Sequence, residues 1–396
     1  MIKSATYIER RQKIAALADV IVISGYTATQ QQADMAHTFV QEANFFYLTG
    51  ITEANWQLIL SNNESVLVSP QKSAVHRLFD GGISAEDAMG ISGADAVITP
   101  LQAKAKLRAL ASQHNTAWSI GPDPSAKYYD FALNPAPDRL WRYLRRLFSE
   151  VKDIRPELAR HRAIKTQEEV SIIRQAVQAT CKSFENIKTS MGSYKFEYEV
   201  EATFTHDFRH SGLNGHAYSP IVASGGNACT LHYSKNADRL KDGNLVLIDV
   251  GANVDGYTAD ITRTFSTGGI TGRQKEVHQA VVRAQSAIIN LIKPGVSIRE
   301  YQLNSDEIMK DAIASLGLLN RPDDFRRYFP HAVSHGLGID VHESLGGYDT
   351  FRPGMVLTVE PGIYIPEEAI GVRIEDDILV TNEANENLSA QLPTAL

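Results

Sequence analysis

Cysteine is scarce in this sequence, and its scarcity excludes one large class of protein. The 396 residues include two cysteines, Cys181 and Cys229, which lie far apart. A disulfide framework needs several closely spaced cysteines, so the chain does not read as a disulfide-rich secreted domain, and a reducing compartment suits it. Residues 1–13 are charged and contain no apolar segment of the kind that a secretory signal requires. We therefore expect a cytoplasmic location.

Long apolar runs and long basic runs are also missing. No uninterrupted apolar stretch approaches the roughly 20 residues that a membrane-spanning helix needs. The formal net charge is -7, and lysine and arginine form no long run anywhere in the chain. These two observations argue against a membrane and against a nucleic acid as partners of this protein.

The length and composition are those of a globular protein with two domains. Hydrophobic residues make up 43% and charged residues 21% of the sequence, which is ordinary for globular proteins. A chain of 396 residues also exceeds what one hydrophobic core usually accommodates. A helical pattern that follows Pro137 is broken at Arg155-Pro156. We place the boundary there, which gives domains of residues 1–155 and 156–396.

The N-terminal domain is predicted to be mixed α/β. Short apolar runs bounded by turn residues predict strands, and apolar residues at helical spacing from Leu140 to Val151 predict a helix. The predicted strands are residues 18–24, 45–48, 57–60 and 65–68.

The C-terminal domain is predicted to be α+β with a largely antiparallel sheet. Thr166 and Glu169 form a capping-box pattern at the start of one helix, and another long helix extends from about Arg273 to Ile292. Strand patterns lie between and after the helices, as in other α+β folds. The predicted strands are residues 245–250, 257–265, 355–360 and 371–380.

Two aspartates are expected to meet across a tight hairpin. Asp249 ends an apolar strand, Asp255-Gly256 is a strong hairpin signal, and Asp260 lies on the return strand. A two-residue loop puts Asp249 opposite Thr262 and makes Asp260 a diagonal neighbour, roughly 7–8 Å away. Carboxylates placed in this way repel each other unless a cation lies between them.

Two glutamates and a group of histidines extend this pattern. Glu360 ends another apolar strand, and alternation along a strand puts Arg373 and Glu375 on one face. Three histidines lie in one glycine-rich segment: His331, His335 and His342.

Each of these residues alone has an ordinary structural explanation. An aspartate at a strand end is usually a turn former or a cap, and a lone histidine is more often a structural hydrogen-bonding group than a ligand. Four acids that close or flank apolar strands, beside several histidines, are better explained together, because buried carboxylates need compensation. Such an oxygen-rich set suits Mn²⁺, with Co²⁺, Fe²⁺ or Zn²⁺ as alternatives. Two ions about 3.5–4 Å apart could bind a bridging hydroxide as nucleophile.

These motifs resemble those of the metallopeptidases of the pita-bread fold, which include methionine aminopeptidase, prolidase and aminopeptidase P. The resemblance implies a C-terminal pita-bread domain, and the additional N-terminal domain favours the proline-specific branch. It rests on four segments of the C-terminal domain and, more weakly, on one of the N-terminal domain: residues 245–265, 334–342, 353–364, 371–377 and 45–50. It also implies two divalent metal ions per subunit, held by five ligands: Asp249, Asp260, His335, Glu360 and Glu375.

The resemblance further assigns roles to the ligands. Asp260 and Glu375 match the residues that bridge the two metals, and Asp249 holds one ion while His335 and Glu360 hold the other. Glu360 also resembles the catalytic group that accepts the proton of the attacking water.

Other residues match the substrate-binding and catalytic groups of the family. His232 matches a histidine near the proline-side pocket, and His342 matches one at the scissile carbonyl or the proline side. His331 matches a further active-site histidine. Arg373 matches an arginine that frames the product-side pocket, with a structural ion pair as the alternative. Tyr364 matches a substrate-side tyrosine, with core packing as the alternative.

The implied activity is release of the N-terminal residue from peptides that have proline in the second position, by attack of a metal-bound hydroxide. Prolidase, which cuts Xaa-Pro dipeptides, is an alternative, and a non-catalytic pita-bread binding protein is another. An arginine that the family places between His342 and Glu360 is not matched, Arg352 being nearest, which leaves the preferred peptide length open. A homodimer or homotetramer is also implied, with Asp34 or Phe79 as candidates to close a neighbouring subunit's pocket.

Overall fold

The structure divides into two compact units, Met1–Ala159 and Arg160–Leu396. The boundary that we predict from the sequence falls at the start of a helix, Arg155–Ala163, which contains the division between the units. No helix in the described ranges is long and apolar enough to cross a membrane. The residues that this computed structural model describes are 2–124, 126–321 and 323–396.

The first unit contains a mixed sheet with helices. The helices are α1 (Ser4–Ala15), α2 (Ala43–Thr49), α3 (Ala74–Asp80), α4 (Ala85–Ser92), α5 (Pro100–Gln113) and α6 (Pro135–Leu144). The strands are β1 (Val20–Ser24), β2 (Gln30–Gln32), β3 (Met35–Ala36), β4 (Gln57–Ser61), β5 (Glu64–Val68), β6 (Ala96–Ile98), β7 (Thr116–Ser119) and β8 (Glu150–Asp153). The main sheet has the order β6-β5-β4-β1-β7-β8. Strand β4 is antiparallel to both neighbours, and the other adjacent pairs are parallel.

The strand predicted at residues 45–48 is wrong, because this run belongs to α2. The Glu42 carboxylate caps the helix by accepting a hydrogen bond from the Phe45 amide at 2.6 Å, and Gly50 ends it with a left-handed backbone. Nearly every residue of this helix is buried, so its sequence is almost uniformly apolar. Without a polar face it has no period that distinguishes it from a buried strand. The other three predicted strands are confirmed as β1, β4 and β5.

The second unit has the predicted antiparallel pairing. After α7 (Arg155–Ala163), the helices are α8 (Gln167–Ser190), α9 (Glu197–His210), α10 (Gly272–Ile289), α11 (Ile298–Ser315) and α12 (Asp324–Tyr328). The strands are β9 (Gly215–His216), β10 (Ile221–Ser224), β11 (Leu245–Val250), β12 (Ala252–Val254), β13 (Tyr257–Thr258), β14 (Ile261–Ser266), β15 (Val356–Val359), β16 (Gly362–Ile365), β17 (Ile370–Arg373), β18 (Asp376–Val380) and β19 (Asn385–Asn387). They form short sheets whose strand pairs are antiparallel.

A capping box at the start of α8 and one large hydrophobic core stabilise this unit. The capping box is confirmed, since the Thr166 hydroxyl accepts from the Glu169 amide and the Glu169 carboxylate accepts from the Thr166 amide. Helices α10 and α11 share one core with β15 to β18. Fully buried members of this core include Val281, Ile288, Met309, Leu357 and Val372.

Two interruptions in the strands position acidic residues. The predicted strands that contain Asp260 and Glu375 are each broken in two at those residues. The Asp260 amide donates to the Asp377 carboxylate at 3.1 Å, and the Glu375 amide donates to the Thr262 carbonyl at 3.0 Å. The predicted hairpin register is confirmed, with Asp249 opposite Thr262. The acids therefore lie where regular pairing gives way and side chains from separate strands can meet.

Candidate metal centre

The carboxylates of Asp249 and Asp260 lie beside one tyrosine hydroxyl. Asp249 belongs to β11 and Asp260 follows β13, and both side chains are buried. The Tyr218 hydroxyl lies 2.5 Å from Oδ1 of Asp249 and 2.6 Å from Oδ1 of Asp260. A hydroxyl carries one proton, so Tyr218 donates to one carboxylate at a time.

Glu360, Glu375 and His335 face these aspartates. His335 Nε2 lies 3.4 Å from Oε1 of Glu360 and 3.5 Å from Oδ2 of Asp260. Nδ1 of the same imidazole is 3.0 Å from the Gly336 carbonyl, to which it can donate. This hydrogen bond leaves Nε2 with a lone pair directed at the acids, which is the form in which histidine binds metals.

Together these side chains form one continuous cluster of potential ligands. Three overlapping groups each bring their ligand atoms within 4.8 Å of one another. The groups share members, so they describe adjoining positions rather than separate sites. All five ligands implied by the resemblance are included, and His342 joins them. The groups are Asp249 with Asp260 and Glu375, His335 with Glu360 and Glu375, and Asp260 with His335 and His342.

The electrostatics of the cluster fit a bound cation. Burial and neighbouring carboxylates raise the pKa of Asp260 and of Glu375 well above the usual range. Burial also raises the pKa of Glu360 to about 8, although Arg373 opposes this effect. The pKa of His335 falls to about 4, chiefly because the imidazole is buried. Divalent ions would replace the protons that these acids otherwise hold, and the oxygen-rich donors suit hard cations.

Arg373 contacts Asp249 rather than sharing a strand face with Glu375. Strand β17 ends at Arg373, so alternation does not continue to Glu375. Nη2 of Arg373 donates to Oδ2 of Asp249 at 2.5 Å, and Nε of Arg373 donates to the Thr262 hydroxyl at 3.1 Å. Thr262 in turn donates to Oε2 of Glu375 at 2.6 Å. The structural ion pair that was the alternative role for Arg373 is therefore present, and its partner is Asp249.

Tyr364 and His331 continue this network, and Nδ1 of His331 lies 3.5 Å from Oε2 of Glu360. Tyr364 is buried, and its hydroxyl accepts from Nη1 of Arg373 at 3.0 Å. His331 Nε2 lies 2.9 Å from the same hydroxyl, and its Nδ1 lies 2.8 Å from the Ala332 carbonyl. An Nδ1–H that donates to the carbonyl leaves Nε2 to accept from Tyr364. Burial lowers the pKa of His331 to about 4, which keeps this imidazole neutral.

The remaining two predicted histidines, His342 and His232, lie near the other two. The rings of His335 and His342 meet edge to face with centroids 4.4 Å apart. His232 is exposed, and its charge contributes to lowering the pKa of both His331 and His342. The pKa of His342 is lowered chiefly by burial. His342 and His232 are both exposed, so a ligand could reach them.

Two residues beside the cluster, Tyr218 and Thr262, were not predicted from the sequence. Tyr218 lies between β9 and β10, in a segment without a recognisable period or motif, so nothing in the sequence marked it. Thr262 could have been found, because the hairpin register already put it opposite Asp249. Its hydroxyl links Arg373 to Glu375, which makes it part of the frame of the site.

Comparison with known proteins agrees with this geometry. Residues 171–382 match the model of metallopeptidase family M24, and residues 7–118 match that of the aminopeptidase P N-terminal domain. The chain is 33% identical to Xaa-Pro aminopeptidase of Escherichia coli K12, over 91% of this chain and 88% of that protein.

Solved structures match the whole chain. Proline aminopeptidase P II from Yersinia pestis has 31% identity and a TM-score of 0.84, covering 100% of this chain and 98% of that one. Zinc-substituted Escherichia coli aminopeptidase P in complex with product has 30% identity and a TM-score of 0.85, covering 100% and 96%. These matches confirm the predicted fold, a pita-bread domain preceded by a smaller N-terminal domain. The chain belongs to metallopeptidase family M24, with an aminopeptidase P N-terminal domain before the M24 region.

Proposed function

We propose that this protein is an Xaa-Pro aminopeptidase that uses two divalent metal ions, Mn²⁺ being preferred. The observation that carries the proposal is the cluster of overlapping ligand groups, in which Glu375 belongs to two groups. A carboxylate shared in this way suits a bridge between two ions. The relatives named Xaa-Pro aminopeptidase support proline in the second position of the substrate.

We assign the side chains of the cluster to metal binding and to proton transfer. We assign Asp249, Asp260, His335, Glu360 and Glu375 as the ligands. Bound divalent ions would supply Lewis acidity, which polarises a carbonyl and lowers the pKa of a water molecule. Glu360 then accepts the proton of the attacking water, since its carboxylate lies at the edge of the cluster beside His331 and His335.

The histidines outside the ligand set bind the peptide. We assign His342 and His232 to the scissile carbonyl and the proline side, and His331 to a further contact that Tyr364 fixes through its hydroxyl. Arg373 holds Asp249 and Tyr364, so its part in catalysis is to position groups that act on the substrate. The product-side pocket that Tyr364 and Arg373 frame lies beside these histidines in this proposal.

Hydrolysis of three peptides by metal-stripped protein, with and without Mn²⁺, tests the proposal. Ala-Pro-Ala should be cleaved only when metal is present. Cleavage of Ala-Pro alone would identify a prolidase. That alternative stays open because the arginine that the family places between His342 and Glu360 has no match here, Arg352 being the nearest. Cleavage of Ala-Ala-Ala at the same rate would remove the proline specificity. No cleavage of any peptide by folded, metal-loaded protein would favour a non-catalytic binding protein.

The identity of the metal needs a separate comparison. Activity restored by Mn²⁺, Co²⁺, Fe²⁺ and Zn²⁺ at matched occupancy would rank the ions, and a higher turnover with an ion other than Mn²⁺ would contradict our choice.

The cytoplasmic location and the homodimer or homotetramer stay predictions, as do the pocket-closing roles of Asp34 and Phe79, both of which are exposed in the first unit.

A further inference from the structure

The first unit contains a cavity of about 500 Å³. It lies at the edge of the main sheet where β1 and β5 end and β4 begins, next to the first turns of α5 and α6. Strands β1 and β5 run in the same direction, because each is antiparallel to β4. Ligands of open α/β sheets bind in the crevice outside the carboxyl ends of such strands. The volume also falls within the roughly 300–1,000 Å³ of small-molecule sites.

The charged residues that line this cavity are of one sign. Lys104 comes from α5 and Arg139 from α6, and the lining residues that the structure describes include no aspartate or glutamate. Within residues 2–124, 126–321 and 323–396, neither cation has a hydrogen-bond or ion-pair partner. Cavities lined by one sign of charge raise the local concentration of the opposite ion. An anion is therefore the ligand that these two side chains favour.

The wall of this cavity contains apolar side chains. Val68, Leu107 and Leu140 line the cavity and belong to the core of the unit. The Tyr143 ring packs against the same core, and its hydroxyl is too enclosed for a ligand atom to reach. This wall suits the apolar body of a ligand rather than a free inorganic ion.

We propose that this cavity binds a small molecule that carries a terminal phosphate or carboxylate on an apolar body. Lys104 and Arg139 contact the anionic group, and the apolar body lies against Leu107 and Leu140. This proposal goes beyond the peptidase function, because every described lining residue falls between residues 24 and 143, in the first unit, and none belongs to the ligand cluster.

Calorimetric titration of the full chain with phenyl phosphate, benzoate and neutral benzyl alcohol tests the proposal. At least one anion should bind saturably at one site per chain, and benzyl alcohol should not. A preference for phenyl phosphate over benzoate, or the reverse, decides which anionic group the site takes. Saturable binding of neither anion at millimolar concentration would overturn the proposal.

Substitutions separate a built site from general attraction to a cationic surface. Combining Lys104→Met with Arg139→Met should weaken anion binding at least about tenfold, because charge-assisted hydrogen bonds are lost. Combining Arg108→Met with Arg146→Met removes the same charge from exposed positions of this unit outside the lining, and should leave binding unchanged. Equal weakening in both double variants would overturn the proposal.

Conservative variants test whether a loss of anion binding comes from misfolding rather than from the lost charge. Lys104→Arg should retain binding, because the positive charge remains. Arg139→Lys should retain binding for the same reason. Thermal unfolding of every variant should match that of the parent chain.

Discussion

Asp249 and Asp260 contact the same tyrosine but have different neighbours. Asp249 accepts a hydrogen bond from the Arg373 guanidinium, whereas Asp260 is surrounded by carboxylates that help to raise its pKa. A cation bound beside Asp260 would offset the repulsion among these carboxylates, so Asp260 should respond most strongly to metal.

Replacing Asp260 by alanine should abolish metal binding and reduce turnover to below about 1%, more than the ten- to hundredfold loss typical of residues that only support ligands. The physical reason is that Asp260 belongs to two of the three ligand groups. Mn²⁺ titration and peptide hydrolysis measure the two effects. Asp311→Ala, on exposed α11 surface, is the matched control and should change neither. Full activity of the Asp260 variant would refute the assignment.

Removal of one hydroxyl by Tyr218→Phe should weaken Mn²⁺ binding about ten- to hundredfold, as expected for a group that orients ligands. Saturating Mn²⁺ should restore most of the turnover, with little change in KM, because the five ligands remain. Tyr233→Phe removes a hydroxyl that donates to Glu197 outside the cluster, and should leave metal affinity unchanged. Loss of activity that excess metal does not rescue would instead place Tyr218 in the chemical step.

At the scale of elements, the sequence predicted those features that local patterns determine. The hairpin that brings Asp249 opposite Thr262 follows from turn chemistry and alternation, and the structure has that register. The breaks at Asp260 and Glu375 were not predicted, because they depend on hydrogen bonds to strands distant in sequence. Helix α2 was mistaken for a strand because a fully buried helix lacks a polar face. Tertiary packing decided each of these outcomes.

A buried ion-pair network at the end of α7 should make the stability of the second unit depend on pH. Burial opposes ionisation of Glu343, but the charges of Arg162 and Lys165 lower its pKa to about 2. The carboxylate lies 2.5 Å from Nη2 of Arg162 and 3.0 Å from Nζ of Lys165. Because its folded pKa is depressed, its contribution is present above the unfolded value near 4.5 and is lost as pH falls towards 2.

Urea unfolding of the parent chain and of Glu343→Gln between pH 6 and pH 3 measures this contribution. The variant should be less stable at pH 6, because two buried cations lose their counterion. The difference in free energy of unfolding between the two chains should shrink by about 2 kcal/mol on reaching pH 3. At that pH the parent loses much of the stabilisation from the ionised Glu343 carboxylate, which the variant lacks at every pH. A difference that stays constant with pH would show that the pKa of Glu343 is the same in the folded and the unfolded chain.

At the scale of the whole molecule, the two units carry separate features. All five proposed ligands lie in Arg160–Leu396, whereas the cavity beside Lys104 and Arg139 lies in Met1–Ala159. Motifs in the sequence indicated the first site because its residues stand at strand ends with characteristic neighbours. The cavity has no such motif, since its lining comes from ordinary residues on strands and helices that only the folded unit assembles. The effect of metal should accordingly be unequal along the chain.

Mn²⁺ added to metal-stripped protein should raise hydrogen-exchange protection most in β11, β14, β15 and β18, which carry or adjoin the proposed ligands. A ligand that binds only the folded state stabilises it by about 2.7 kcal/mol at one hundred times its Kd. Strands β1, β4 and β5 belong to the core of the first unit and should change less. The Asp260→Ala chain should show no such gain. An equal rise in both units, or a rise that survives this substitution, would place the bound metal elsewhere.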